Sequence, residues 1–225
     1  MLMIRELLAH SSNYTAMTGR SIKYIVIHYT ANDGDTAQGN CRYFNAANRK
    51  ASAHYFVDEQ EVWRSVKDKD GAWHCGGKTY YHDHCRNSNS IGIEICSRKD
   101  SDGRYYFMPA AVALAVELTR AKMAEYGIPA KNVIRHYDVT HKICPAPFVQ
   151  DEAAWQAFKR ALTGQEDDDV IVTYQKIKDV PDWARPTIQK LITKKALNGD
   201  GNGNINVSED FCRTMVVFDR LGKLD

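Results

Sequence analysis

Lys23 to His28 reads KYIVIH, a run that is β-branched and nearly all apolar. A segment this short and this apolar suits a buried central strand, and strands of that kind belong to sheets covered by helices. The pattern that follows alternates strands and helices. Thr36 to Ala47 reads as a short helix capped by Asp35 or Thr36. His54 to Asp58 and Glu61 to Val66 read as a hairpin closed at Glu59-Gln60. Ser90 to Cys96 (SIGIEIC) has period two, with Ile91, Ile93 and Ile95 on one face and Gly92, Glu94 and Cys96 on the other. Pro109 to Tyr126 predicts a helix opened by Pro109 and closed by Gly127, with a stripe of Val112, Ala115, Val116, Thr119 and Met123. Val133 to His136 is a further strand, and Asp151 to Leu162 a helix packing Trp155, Phe158 and Leu162. The expected fold is α/β, a mixed central sheet flanked by helices.

The tail differs. Gly164 to Asp169 (GQEDDD) is acidic and holds no apolar residue. Before Gly164 there are 21 basic against 17 acidic residues; from it onward there are 9 against 11. This predicts a main domain at 1–163, an acidic linker at 164–173 and a small all-α module at 174–225. In that module Ile188, Leu191, Ile192 and Leu197 would face inward from a first helix. After a loop at Asn198 to Asn206, a second helix capped by Ser208 would bury Phe211, Met215, Phe218 and Leu221.

A net charge of +2 over 225 residues excludes a nucleic-acid binder working by bulk charge. The longest apolar run, Ala110 to Val116, is far short of a membrane span. Met1 to Arg20 lacks the basic start and apolar centre of an export signal, so the chain is expected to stay in the cytoplasm of the cell that makes it. Six cysteines without CxxC spacing do not make a disulfide scaffold and are expected as mostly buried thiols.

Chemistry is suggested by residues at strand ends. Glu94 points away from the Ile91, Ile93 and Ile95 face; alone it reads as a surface carboxylate. His28 and His136 each end a strand, where a histidine is more often a hydrogen-bonded structural group than a ligand. Cys144 lies eight residues past His136. Neighbouring strands are about 4.8 Å apart, so these three could converge, and two imidazoles with one thiolate make a catalytic zinc set with a fourth position for water. Zinc lowers the pKa of that water toward about 7. Glu94 could then shuttle its proton to a leaving amine, and Lys142 could stabilise an oxyanion. Cys75, His82, His84 and Cys85 offer a rival, second zinc set, but their spacing is not a usual one and an exposed recognition loop is the expectation.

Six motifs in order carry a resemblance: IVIHYT at Ile25 to Thr30, SAHYFVD at Ser52 to Asp58, AWHCGG at Ala72 to Gly77, NSIGIEI at Asn89 to Ile95, RHYDV at Arg135 to Val139, and KICP at Lys142 to Pro145. Over roughly Ser21 to Phe148 the chain resembles the type-2, zinc-dependent N-acetylmuramoyl-L-alanine amidases of phage endolysins and bacterial cell-wall hydrolases, relatives of the peptidoglycan recognition proteins. The resemblance implies Zn2+ held by His28, His136 and Cys144, with Glu94 and Lys142 catalytic. It implies peptidoglycan as partner and His74 and Asn89 as substrate contacts. It favours His136 over the nearby His141. Some relatives carry a catalytic Tyr where this chain has Ala53, so no tyrosine role transfers, and Tyr55 is not promoted in its place. The implied protein is an endolysin reaching the wall after release by a membrane-permeabilising partner; the alternative is a non-catalytic peptidoglycan-binding module.

The tail, through DVPDWARPTIQKL and GDGNGN, resembles one S-layer-homology unit. Such units occur in threes, so a single copy leaves wall targeting and homo-oligomerisation both open. Asn198 to Glu209 matches an EF-hand loop in part, with too few carboxylates to favour calcium over a Gly/Asn turn.

Overall fold

The computed structural model describes residues 2–164, 173–201 and 203–224. It divides into two compact units, Met1–Glu166 and Asp167–Asp225. Residues 165–172, which hold most of the expected acidic linker, and Asn202 of the Gly/Asn loop lie outside the described residues. Among those described, no helix is long and apolar enough to cross a membrane.

The first unit is built on a six-stranded sheet. Its strands are β1 (Ile4–Glu6), β2 (Tyr24–Tyr29), β3 (Tyr55–Val57), β4 (Val62–Arg64), β5 (Ser90–Ile95) and β6 (Val133–Arg135), in the spatial order β1-β4-β3-β5-β2-β6. β3, β5, β2 and β6 are mutually parallel; β4 returns antiparallel to β3 and takes β1 as a parallel edge. β1 carries no strand pattern and was not expected. Helices α1 (Ala37–Asn45), α2 (Pro109–Tyr126), α3 (His136–Thr140), α4 (Ala146–Gln150) and α5 (Glu152–Thr163) complete the unit. Thr36 caps α1 by accepting from the Gly39 N–H, Asp151 caps α5 through the Ala154 N–H, and Gly127 ends α2 in the left-handed region at φ 63°.

Alternation sorts the strands into two faces. Ile25, Ile27, Ile91, Ile93, Ile95, Tyr55 and Val57 form one core with Ala111, Ala115 and Leu118 of α2 and with Trp155, Phe158 and Leu162 of α5. Each large side chain buried there contributes about 1.5–3 kcal/mol. The opposite face carries α1, whose Ala37 and Cys41 pack with Phe56 and Trp63. On that same face Tyr24 and Val26 of β2 pack with Cys75, Cys85, Ile134 and Val139, so β2 is covered on both sides, which is why its sequence is apolar without alternation.

The α2 stripe is rotated from the expected one. Ala111, Ala115, Leu118, Thr119 and Lys122 are buried, while Val112, Val116 and Met123 are only partly so. Lys122 reaches a buried position because its ammonium donates to Asp68 Oδ2 at 2.7 Å. Tyr55 Oη and Tyr126 Oη donate to the same carboxylate. An ion pair occupies a place that a pattern of apolar residues cannot foresee.

The second unit has α6 (Arg185–Thr193) and α7 (Glu209–Arg220) plus a two-residue antiparallel bridge between Thr173–Tyr174 and Val207–Ser208. Its core is Val180, Ala184, Ile188, Leu191, Val207, Cys212 and Val216. Ser208 caps α7 as expected. Phe218 and Leu221, expected inside, are exposed. The buried face of α7 runs through Cys212 and Val216 to Asp219, which accepts from Thr187 Oγ1 and Lys190 Nζ of α6.

Candidate active site

The register of β2 against β5 places His28 beside Glu94. Residues in register on parallel neighbours project from the same face. Both therefore lie opposite the Ile25–Ile93 core, toward the carboxyl ends of the strands, where open α/β sheets put their ligands. Arg135, the last residue of β6, pairs with Ile27, so the following residue, His136, stands level with His28. His136 begins α3 rather than ending the strand, a shift of one residue that leaves its ring in place. The chain then turns back at His141, in the left-handed region at φ 58°. The Tyr137 N–H donates to the Cys144 carbonyl at 2.8 Å, closing the turn and returning Cys144 to the strand ends.

The outcome is a compact donor set. Ligand-type atoms of His28, His136 and Cys144 all lie within 4.8 Å of one another, and all three residues are buried. Cys144 Sγ is 3.6 Å from His28 Nδ1. Both ring nitrogens of His136 are buried without a hydrogen-bond partner, a costly arrangement for polar atoms unless something else takes up the lone pair. Burial, followed by the charge of Lys142, holds His136 down at about 4. Burial with the neighbouring His136 and His74 holds His28 well below its ordinary range. Both imidazoles are thus neutral near pH 7, as ligands must be. Burial, then Glu94, pushes the Cys144 thiol up to about 12; a divalent cation would deprotonate it outright. The residues present fit a tetrahedral zinc site with one open position.

Glu94 is half-buried, and its Oε2 has no hydrogen-bond partner. Burial raises its carboxyl to about 8, with Lys142 pulling down and Asp35 pushing up. It opens onto a cleft of about 560 Å³ lined by Thr30, Asn32, Asp35, Asn40, Tyr43 and Phe56. Lys142 is exposed, and its charge is felt at Glu94, His28 and His136. The five residues expected to do chemistry are therefore gathered in one place.

His74 and Asn89, expected as substrate contacts, both have partners within the protein. His74 is buried, with Nδ1 3.0 Å from His28 Nε2 and Nε2 3.2 Å from Ser90 Oγ. Asn89 accepts from the Arg86 N–H and donates to the His84 carbonyl, closing a turn ahead of β5. Their polar atoms are taken up inside the protein. Among the described residues the Cys75, His82, His84 and Cys85 set does not converge as a metal group; His82 Nδ1 instead accepts from the His84 and Cys85 N–H groups. His141 is exposed and stacks on Tyr81. Tyr55 faces the core, away from Glu94. From the sequence, Asp35 read only as a helix-cap candidate, and Ser90 and Gly92 only as members of the β5 alternation; none was tied to the site, and Gly92 alone carried a signal, as a glycine inside a strand.

A family model described as N-acetylmuramoyl-L-alanine amidase matches residues 18–147. The N-acetylmuramoyl-L-alanine amidase CwlL of Bacillus licheniformis is 38% identical over 150 residues, covering 63% of this chain and 41% of that protein. The N-acetylmuramoyl-L-alanine amidase BlyA of Bacillus subtilis (strain 168) is 34% identical over 156 residues, covering 64% and 41%. The solved catalytic domain of XlyA superposes with a TM-score of 0.60 at 28% identity, over 72% of this chain and 99% of that one. The chain spans about 41% of the length of these curated relatives.

Proposed function

From a chain that belongs to the N-acetylmuramoyl-L-alanine amidase family, we propose a zinc hydrolase that cleaves the amide between the lactyl group of N-acetylmuramic acid and L-alanine in peptidoglycan. It acts as a wall-lytic enzyme of the endolysin kind, with residues 1–163 as its catalytic domain. The observation that carries this reading is the convergence of His28, His136 and Cys144 beside a carboxylate in register with His28.

His28, His136 and Cys144 would hold the zinc. When bound, the ion supplies a Lewis acid that polarises a carbonyl and lowers the pKa of water toward about 7. Glu94 takes a proton from the attacking water and delivers it to the departing L-alanine nitrogen as the C–N bond breaks. Its carboxyl lies at about 8 in the metal-free fold. A cation held by His28, His136 and Cys144 would lower it, toward the range where one group can serve as base and then acid. Lys142 sets its ammonium against the oxyanion that develops on the lactyl carbonyl. The products are a free lactyl carboxylate and a new amino terminus. His74 and Asn89 act from behind the site, His74 on the ring of His28 and Asn89 on the turn that leads into β5.

Digestion of purified cell walls tests the reading. New amino termini should rise while reducing sugar ends stay flat. New reducing ends without new amines would refute the bond assignment, and wall binding with neither product would make the chain a binding module. For the second unit, an S-layer-homology-like module, Trp183, Val217, Phe218 and Leu221 are exposed apolar side chains. We assign them to wall attachment or self-association; sedimentation of the chain with and without purified walls separates the two.

A further inference from the structure

Behind the ligand cluster three side chains stand in a line: His28, His74 and Ser90. The Ser90 hydroxyl has one proton, and the Arg86 carbonyl 2.7 Å away accepts it, since a carbonyl cannot donate. Ser90 Oγ must then act as acceptor toward His74 Nε2 at 3.2 Å. That fixes the proton of a neutral His74 on Nε2 and leaves a lone pair on Nδ1. Nδ1 faces His28 Nε2 at 3.0 Å. Two lone pairs do not face one another at that distance, so His28 carries its proton on Nε2. Its Nδ1 lone pair is then the one that faces Cys144 Sγ at 3.6 Å.

The neighbours leave this order undisturbed. Cys75 Sγ lies 3.9 Å from Ser90 Oγ, farther than the His74 and Arg86 atoms that Ser90 meets at 3.2 and 2.7 Å, and Cys75 Sγ is itself 3.2 Å from Asn87 Oδ1. The same Asn87 oxygen accepts from the backbone N–H groups of His74 and Cys75 and pins the segment. The His74 ring lies against Gly92 of β5, where a Cβ would come within 2.5 Å of His74 Cγ. His54 packs edge-on against its other side, with ring centroids 5.5 Å apart.

We propose that Ser90 and His74 form a relay that fixes the tautomer of His28, holding its Nδ1 lone pair toward the metal position; both are positioning residues. The proposal rests on the reading of His28 as a zinc ligand. Ligating histidines commonly hand their second N–H to a carboxylate, carbonyl or water; here a second imidazole, itself oriented by a serine, takes that part.

Two measurements on the full chain decide it. In metal-free protein labelled with 15N-histidine, long-range proton–nitrogen correlation reads each tautomer directly. His28 and His74 should both be protonated on Nε2; an Nδ1-protonated His28 overturns the relay. This needs no substitution. Zinc affinity is then read by competition with a chromophoric chelator. His74→Leu should weaken zinc about 10- to 100-fold, the usual cost of losing an orienting partner. His74→Asn, whose Oδ1 can accept from His28 Nε2–H, should recover most of that loss. Ser90→Ala, the milder change, should give a mixed His28 tautomer and an intermediate affinity. Equal affinity across wild type, His74→Leu and Ser90→Ala overturns the relay while leaving the zinc reading standing. A wild-type chain that binds no zinc overturns the zinc reading itself.

Discussion

Glu94 takes its place beside His28 through strand register, and its chemistry follows from that neighbour and from burial. Glu94→Gln keeps the shape and removes the group that takes up and gives back a proton. Zinc content should stay at the wild-type level while turnover falls by about 10²- to 10⁴-fold, the usual worth of a general acid–base; unchanged turnover would remove Glu94 from the mechanism. Gly92 acts by what it lacks. In Gly92→Ala the new methyl meets the buried His74 ring at 2.5 Å, so the ring must shift. Stability should drop by about 1–3 kcal/mol, and chelator competition should find zinc held roughly tenfold more weakly. His28, Glu94, His136, Lys142 and Cys144 were all visible in the sequence, because motifs name residue types. The partners of His74 were not, because Ser90 and His28 meet it only across the sheet, 16 and 46 residues away.

At the scale of elements, β2, β5, α2 and α5 could be read from period, caps and terminators, to within a residue or so. The inward faces of α5 and α6 were read correctly, whereas those of α2 and α7 are rotated from the expected ones. α2 turns Lys122 toward Asp68, and α7 turns Asp219 toward Thr187 and Lys190. In each case a polar side chain finds a partner on another element, so hydrophobicity alone gives the wrong phase. Lys122→Met tests the α2 case. It retains the aliphatic volume and strands the Asp68 carboxylate with only its two tyrosine donors. Urea denaturation should show a loss of about 3 kcal/mol, and adding Asp68→Asn should recover part of it. Zinc content should not change, since this pair lies on the face away from the ligands.

For the molecule as a whole, the buried histidines set an acid limit. Burial, with His74 and Arg20 nearby, holds His54 well below its ordinary 6.5. The unfolded chain protonates this group below about pH 6.5 while the folded chain does not. Its contribution is therefore complete above that pH and is lost as pH falls, by about 1.4 kcal/mol per unit. Thermal melts of the metal-free protein from pH 7.5 to 5 should show the decline, and His54→Gln should make it shallower by one proton. Chelation gives the matching result for the metal. Zinc at 100 times its dissociation constant adds about 2.7 kcal/mol, so a strong chelator should lower the melting temperature of the first unit and abolish wall digestion, and added zinc should restore both. The amino-acid order by itself settled the α/β class, the long elements and the identity of the groups that could do chemistry, because period, caps and side-chain type are local properties. The distances between those groups, the phase of α2 and α7, and the proton positions along Ser90, His74 and His28 were decided by the tertiary structure. Each depends on residues far apart in the chain meeting at hydrogen-bond range, and one-dimensional spacing carries no such information.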